Sequence, residues 1–261
     1  MGNYKWYCKK CNFSSSKSRH IENHKLHCNQ TYTYKINNLD KKILKKQCDI
    51  IIPFGVRCSN AIGLKNIEWR EYALPFDYIA VKNPIKILDC FKDNFKNFTK
   101  KGEIKNLNYY GIPMSHFPNF FDKEKEKLEK RIVRFMKILN SDKYVIFMYS
   151  NEDFFYKEDN RKNSDLFYNY LIEIKDYIKN RFPKLNFLII CCDGIYRQST
   201  DKIINIHIEL HKEYKLLDRA IEKNWKKSKL NKIYLQYQYD FRKMISKILI
   251  ENFIKPTNNI E

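Results

Sequence analysis

Two sets of residues in this sequence have the types and the spacing to do chemistry. In the first, two residues separate Cys8 from Cys11, twelve separate Cys11 from His24, and three separate His24 from Cys28. Two thiolates on one tight turn, with two further ligands one helical turn apart, can close a tetrahedron around Zn²⁺. The second set centres on Cys58, which follows Gly55 and directly precedes Ser59. The apolar run Ile50-Ile51-Ile52 comes before it, and Ala61, Ile62 and Leu64 come after it in a helix-like segment. Strand, tight turn and helix are expected, with Cys58 at the strand end and near the helix N-terminus. Backbone N–H groups and the helix dipole favour an anion at such a place, so a nucleophilic thiolate is expected there. The alternative is a small buried residue filling a strand-to-helix corner.

The elements that must position the first set are short. Trp6 and Phe13 flank the cysteine pair, and Ile21 precedes His24 by one helical turn. The spacing predicts a hairpin carrying Cys8 and Cys11 and a helix from about Ser18 carrying His24 and Cys28. His27 competes with Cys28 as fourth ligand. A unit this small needs its metal to fold. Residues 1–30 therefore read as a ββα zinc finger of C2HC type holding one structural Zn²⁺. The unit resembles the single C2H2-type fingers of large-virus proteins, with cysteine as last ligand. One finger reads only about three base pairs, so non-specific nucleic-acid contact or a protein contact is expected of it.

Residues 31–47 are polar, and Lys41, Lys42, Lys45 and Lys46 make them a basic linker. Residues 48–261 are expected to form one α/β domain. Tyr144 to Tyr149, Leu185 to Cys192 and Ile203 to Ile208 read as buried strands; helical patterns cover Pro84 to Phe98, Lys123 to Leu139 and Ser164 to Phe182. Such alternation predicts a three-layer domain with a mainly parallel sheet. Sites in such domains collect at the carboxyl ends of strands, where Cys58, Ser150 to Asp153 and Asp193 would lie. Asn106 to Phe121 reads as a long loop and contains His116. The last stretch, His211 to Ile254, reads as helical, with Trp225 and Tyr234 among Lys223, Lys226, Lys227, Lys229 and Lys232.

The net charge is +20, with a pI near 9.5, which suits a polyanion such as nucleic acid. There is no apolar signal segment and no apolar run long enough for a membrane span. An intracellular protein is expected, not secreted and without a membrane partner. In that setting the eight cysteines point to metal and thiol chemistry rather than disulfides.

The pattern Gly55-x-x-Cys58-x-x-Ala61, an apolar helix, Arg70 and the block Pro75-Phe76-Asp77-Tyr78 resemble the papain-like cysteine peptidase family of bacteria and large DNA viruses. The resemblance continues through Tyr110-Gly111, Ser115-His116-Phe117, Lys130 to Phe135 and Tyr144 to Tyr149. It implies Cys58 as nucleophile and His116 as base, in the cytoplasm, nucleus or viral factory. It departs at Val56, where a serine is usual in the family. A true papain fold is not wound as three layers, so the layer reading comes from periodicity alone. The chemistry expected is peptide or isopeptide hydrolysis. His116 would take the thiol proton and return it to the leaving amine, and Asp77, or Asp193 as runner-up, would orient His116. N–H groups around Cys58 and Ser59 would hold the oxyanion. The alternatives are a non-catalytic nucleic-acid-binding accessory protein and a sugar or nucleotide transferase.

Overall fold

The computed structural model describes residues 6–7, 14–15, 33–35, 43–44, 46–55, 58–70, 72–77, 79–81, 83–104, 106–114, 124–151, 162–195, 197–209 and 227–257. Its strands are β1 (Trp6–Tyr7), β2 (Ser14–Ser15), β3 (Thr33–Lys35), β4 (Ile50–Gly55), β5 (Tyr144–Ser150), β6 (Asn186–Asp193) and β7 (Ile203–Glu209). Its helices are α1 (Ser59–Asn66), α2 (Ile85–Lys92), α3 (Lys125–Leu139), α4 (Ser164–Arg181) and α5 (Lys227–Asn252).

The central sheet runs β3-β7-β6-β5-β4, and β4 to β7 are mutually parallel. β5 and β6 are apolar almost without interruption, the signature of strands covered on both faces. Their alternate residues divide between two cores. Ile50, Ile52, Phe54, Val145, Phe147, Tyr149, Phe187 and Ile189 face one side, where α2, α3 and α4 pack through Phe91, Phe135 and Ile174. Ile51, Ile146, Met148, Leu188, Ile190 and Ile206 face the other, against Leu64 of α1 and Phe241, Ile245 and Ile248 of α5. The result is an α/β domain with helices on both faces of the sheet. β4 lies at an edge, which explains how it tolerates Pro53.

The expected linker, residues 31–47, contributes to the domain. Thr33–Lys35 pairs antiparallel with β7 and closes the other edge, and Leu44 is fully buried in the second core. The alternation Thr31-Tyr32-Thr33-Tyr34 suits a strand, and the edge of β7 needs a partner for its backbone groups. In the N-terminal unit, β1 and β2 pair antiparallel, Trp6 opposite Ser15 and Tyr7 opposite Ser14. This hairpin spans Cys8 and Cys11 in the chain. Cys8, Cys11, His24 and Cys28 themselves lie outside the described residues. No described helix is long and apolar enough to cross a membrane.

Candidate active site at the carboxyl end of the sheet

β4 ends on Gly55, whose φ is +135°. A Cβ there would sit 2.7 Å from the Ser150 carbonyl oxygen, so β4 and β5 can close up only over a glycine. The chain then turns into α1, with Cys58 at its N-cap and the Cys58 carbonyl accepting from Ile62 N–H at 2.9 Å. Asn60 is fully buried beneath this turn. Its Nδ2 donates to the carbonyls of Phe54 (2.6 Å) and Met148 (2.7 Å), clamping the helix start to the last residues of β4 and β5. Cys58 is thereby held at a strand end and a helix N-terminus, as its spacing predicts.

Cys58 is half-buried, whereas the other described cysteines, Cys48, Cys90, Cys191 and Cys192, are buried. Burial disfavours a thiolate. It pushes the Cys48 thiol up to about 12, helped by the negative charge of Asp49. Burial likewise drives Cys90 and Cys191 well above the ordinary thiol range and raises Cys192. Only Cys58, among the described cysteines, combines access with a place at a helix N-terminus.

A second charged group meets the sulfur. Nη2 of Arg242, on α5, lies 3.9 Å from Cys58 Sγ, although the two are 184 residues apart in the chain. The approach depends on Gly63. A Cβ there would come 2.8 Å from Ile245 Cγ2, so α1 and α5 pack closely only because Gly63 has none. The Ser246 hydroxyl donates to the Gly63 carbonyl at 3.3 Å and pins the same contact. Arg242 escaped the sequence reading because it looks like one more cation in a lysine-rich helix. Its one local signal is its spacing: Ile245, Ile248 and Leu249 mark the buried face of α5, and Arg242 lies one turn before Ile245 on it.

Asp77 is fully buried in the turn after α1. Its Oδ2 accepts from Arg70 Nε (2.9 Å), Arg70 Nη2 (2.6 Å) and Leu74 N–H (2.8 Å). Burial outweighs the Arg70 guanidinium and raises its carboxyl above the usual range. Its Oδ1 has no hydrogen-bond partner among the described residues. Phe76 anchors this turn, edge-on to Phe54 of β4 at 5.4 Å and to Phe135 of α3 at 6.0 Å. Arg134 donates to the Ala73 carbonyl at 2.8 Å and so braces the same turn.

Asp193, at the end of β6, is committed elsewhere. It pairs with Arg197, which also binds Asp165 Oδ1 (2.9 Å) and Ser164 Oγ (2.8 Å) and lies 4.8 Å over the Tyr168 ring. Its Oδ1 accepts Ile195 N–H at 3.0 Å. That network ties β6 to α4. His116 lies outside the described residues. Three polar atoms near the ends of β4 and β5 are buried without a hydrogen-bond partner among the described residues: Asn60 Oδ1, Ser150 Oγ and Asn151 Oδ1. A concavity of about 590 Å³ opens elsewhere, lined by Lys86, Lys101, Tyr109 and Tyr110 among others, and no cysteine or serine lines it. Among the described residues no cluster of histidine, cysteine and carboxylate side chains could hold a metal. No family model matches this chain, and no curated protein or solved structure matches it either.

Proposed function

We propose that the protein is a thiol-dependent hydrolase of the cysteine-peptidase kind, acting on a protein or peptide through Cys58. One observation carries the reading. Cys58 is the half-buried thiol among the buried ones of the described residues, at the carboxyl end of β4 and the N-terminus of α1, with a guanidinium beside its sulfur. His116 takes the thiol proton. The thiolate attacks the carbonyl carbon, and the oxygen gains the electron pair and is held by N–H groups at the start of α1. The C–N bond then breaks, His116 protonates the amine, and water hydrolyses the thioester. Asp77 orients His116 through Oδ1, which has no hydrogen-bond partner among the described residues.

The N-terminal unit, in this reading, holds one structural Zn²⁺ on Cys8, Cys11, His24 and Cys28. The β1–β2 hairpin supports it, because such a unit presents its cysteine pair on a hairpin.

The test is a thiol-directed activity probe on the native protein, followed by mapping of the labelled residue and competition with peptide and isopeptide substrates. Cys58 should carry the label, and Cys58→Ala should abolish turnover. Turnover that survives in Cys58→Ala, or a native Cys58 that resists the probe, overturns the proposal. The net charge of +20 favours a second reading, a nucleic-acid-binding accessory protein without catalysis. Salt-sensitive retention on DNA together with an inert Cys58 would establish it.

A further inference from the structure

The thiol site holds a charged group that the hydrolytic steps above leave unused. Arg242 reaches Cys58 Sγ with Nη2, and its Nε is buried without a hydrogen-bond partner among the described residues. Nε and Nη2 form one edge of the guanidinium, an edge that takes a carboxylate in two parallel hydrogen bonds. Arg70 shows that edge engaged, with Nε and Nη2 both on Asp77 at 2.9 and 2.6 Å. On Arg242, Nη2 lies 3.9 Å from the sulfur, and no carboxylate of the described residues pairs with the Nε–Nη2 edge. A buried cationic N–H without an acceptor is unfavourable, so the site calls for an anion.

Two independent features border the same strand-to-helix turn. α1 begins at Cys58 with no acidic residue in its first turn and no side-chain cap, so its own first turn does not neutralise the positive end of its dipole. Ser150 is 1% exposed and has a hydroxyl without a partner among the described residues. That hydroxyl lies 3.3 Å from where a Gly55 Cβ would stand, at the floor of the turn. A guanidinium edge, a helix N-terminus and a hydroxyl without a partner among the described residues share one complement, an oxyanion.

We propose that Arg242 is the anion-binding residue of this centre, and that the substrate presents a carboxylate next to the acyl carbon attacked by Cys58. The proposal rests on Cys58 as nucleophile. Sulfur forms its bond to the acyl carbon, the C=O pair moves to oxygen and returns as the C–N bond breaks, and the amine leaves with the proton that His116 took from the thiol. Arg242 holds the carboxylate throughout and takes no part in the proton transfer. The carboxylate comes from an acidic side chain or from a chain terminus.

The experiment compares iodoacetate with iodoacetamide, which share a leaving group and differ in charge. Labelling rates at Cys58 are measured by mass spectrometry on the full chain in wild type, Arg242→Lys and Arg242→Gln. The ratio of iodoacetate to iodoacetamide rates should fall about tenfold or more in Arg242→Gln, as befits loss of a charge-assisted hydrogen bond. Arg242→Lys, which keeps the charge and loses the two-toothed edge, should fall between. An unchanged ratio in a Cys58 that still labels overturns the anion site and leaves the nucleophile standing. A native Cys58 that neither reagent labels overturns both. Circular dichroism checks that the variants fold. Should Arg242→Gln fail to fold, protection of the wild type decides. N-acetylglycine or N-acetyl-aspartamide should slow iodoacetamide labelling more than chloride at equal ionic strength. The better protectant identifies a terminal or a side-chain carboxylate, and no protection by either overturns the proposal.

Discussion

Raising the pH should unfold this protein through its buried thiols. Cys48, Cys90, Cys191 and Cys192 are each at most 1% exposed, and burial raises all four above the ordinary thiol value of about 9. In the unfolded chain these thiols ionise as the pH passes 9, while in the folded chain they stay protonated. The unfolded state then binds fewer protons than the native state, so stability falls with rising pH. Cys48, whose thiol titrates at about 12 when folded, contributes stability that is complete below pH 9 and lost between 9 and 12. Each thiol costs about 1.4 kcal/mol on going from pH 8 to pH 10. Four together cost about 5–6 kcal/mol, comparable with the whole stability of a domain, about 5–15 kcal/mol. Urea denaturation at pH 8, 9 and 10 in the presence of reductant measures the loss. Cys90→Ala should be less stable at pH 8 by about 1 kcal/mol, yet should lose about 1.4 kcal/mol less than wild type on going to pH 10. An equal pH dependence in the two proteins would refute the reasoning, since it would mean that Cys90 ionises alike in both states.

Other consequences can be measured singly. The purified protein should carry about one zinc per chain, and Cys8→Ser with Cys11→Ser should remove it while circular dichroism of the α/β domain persists; metal analysis decides. Asp77→Ala should cost about 3–5 kcal/mol by removing the buried carboxylate that Arg70 and Leu74 N–H share, and Asp77→Asn, which keeps an acceptor for Leu74 N–H, should cost less in a urea melt. Gly55→Ala should cost about 2–5 kcal/mol, because its Cβ would press on the Ser150 carbonyl at a φ of +135°; a melt within experimental error of wild type would contradict that close approach. Binding to DNA should weaken steeply with salt and show little sequence preference, and deleting residues 1–30 should reduce it without abolishing it; titration by fluorescence anisotropy at two salt concentrations reads both.

Much of the architecture was legible in the chain. Runs such as Val145 to Tyr149 and Phe187 to Cys192 are too continuously apolar to face water on either side, so they had to be sheet strands covered on both faces. The helical repeat of Leu128, Phe135 and Leu139 set the buried face of α3. Gly55 followed by Cys58 marked the strand-to-helix turn. These are local properties, since steric preference and apolar periodicity act over one or two turns of chain.

Other features depended on distant partners. Thr33–Lys35 became a strand because β7 had a free edge to offer. Asp77 is a candidate from its block to orient a histidine, and the fold of its own turn decides which oxygen Arg70 and Leu74 take. Gly63 would be a weak point in an isolated helix; against Ile245 it is the space that lets α1 and α5 meet. That meeting brings Arg242 to Cys58. The sequence alone determined a thiol at the end of a strand. Which cation stands beside it was decided by helix packing on one face of the sheet, because no local periodicity encodes a contact between side chains 184 residues apart.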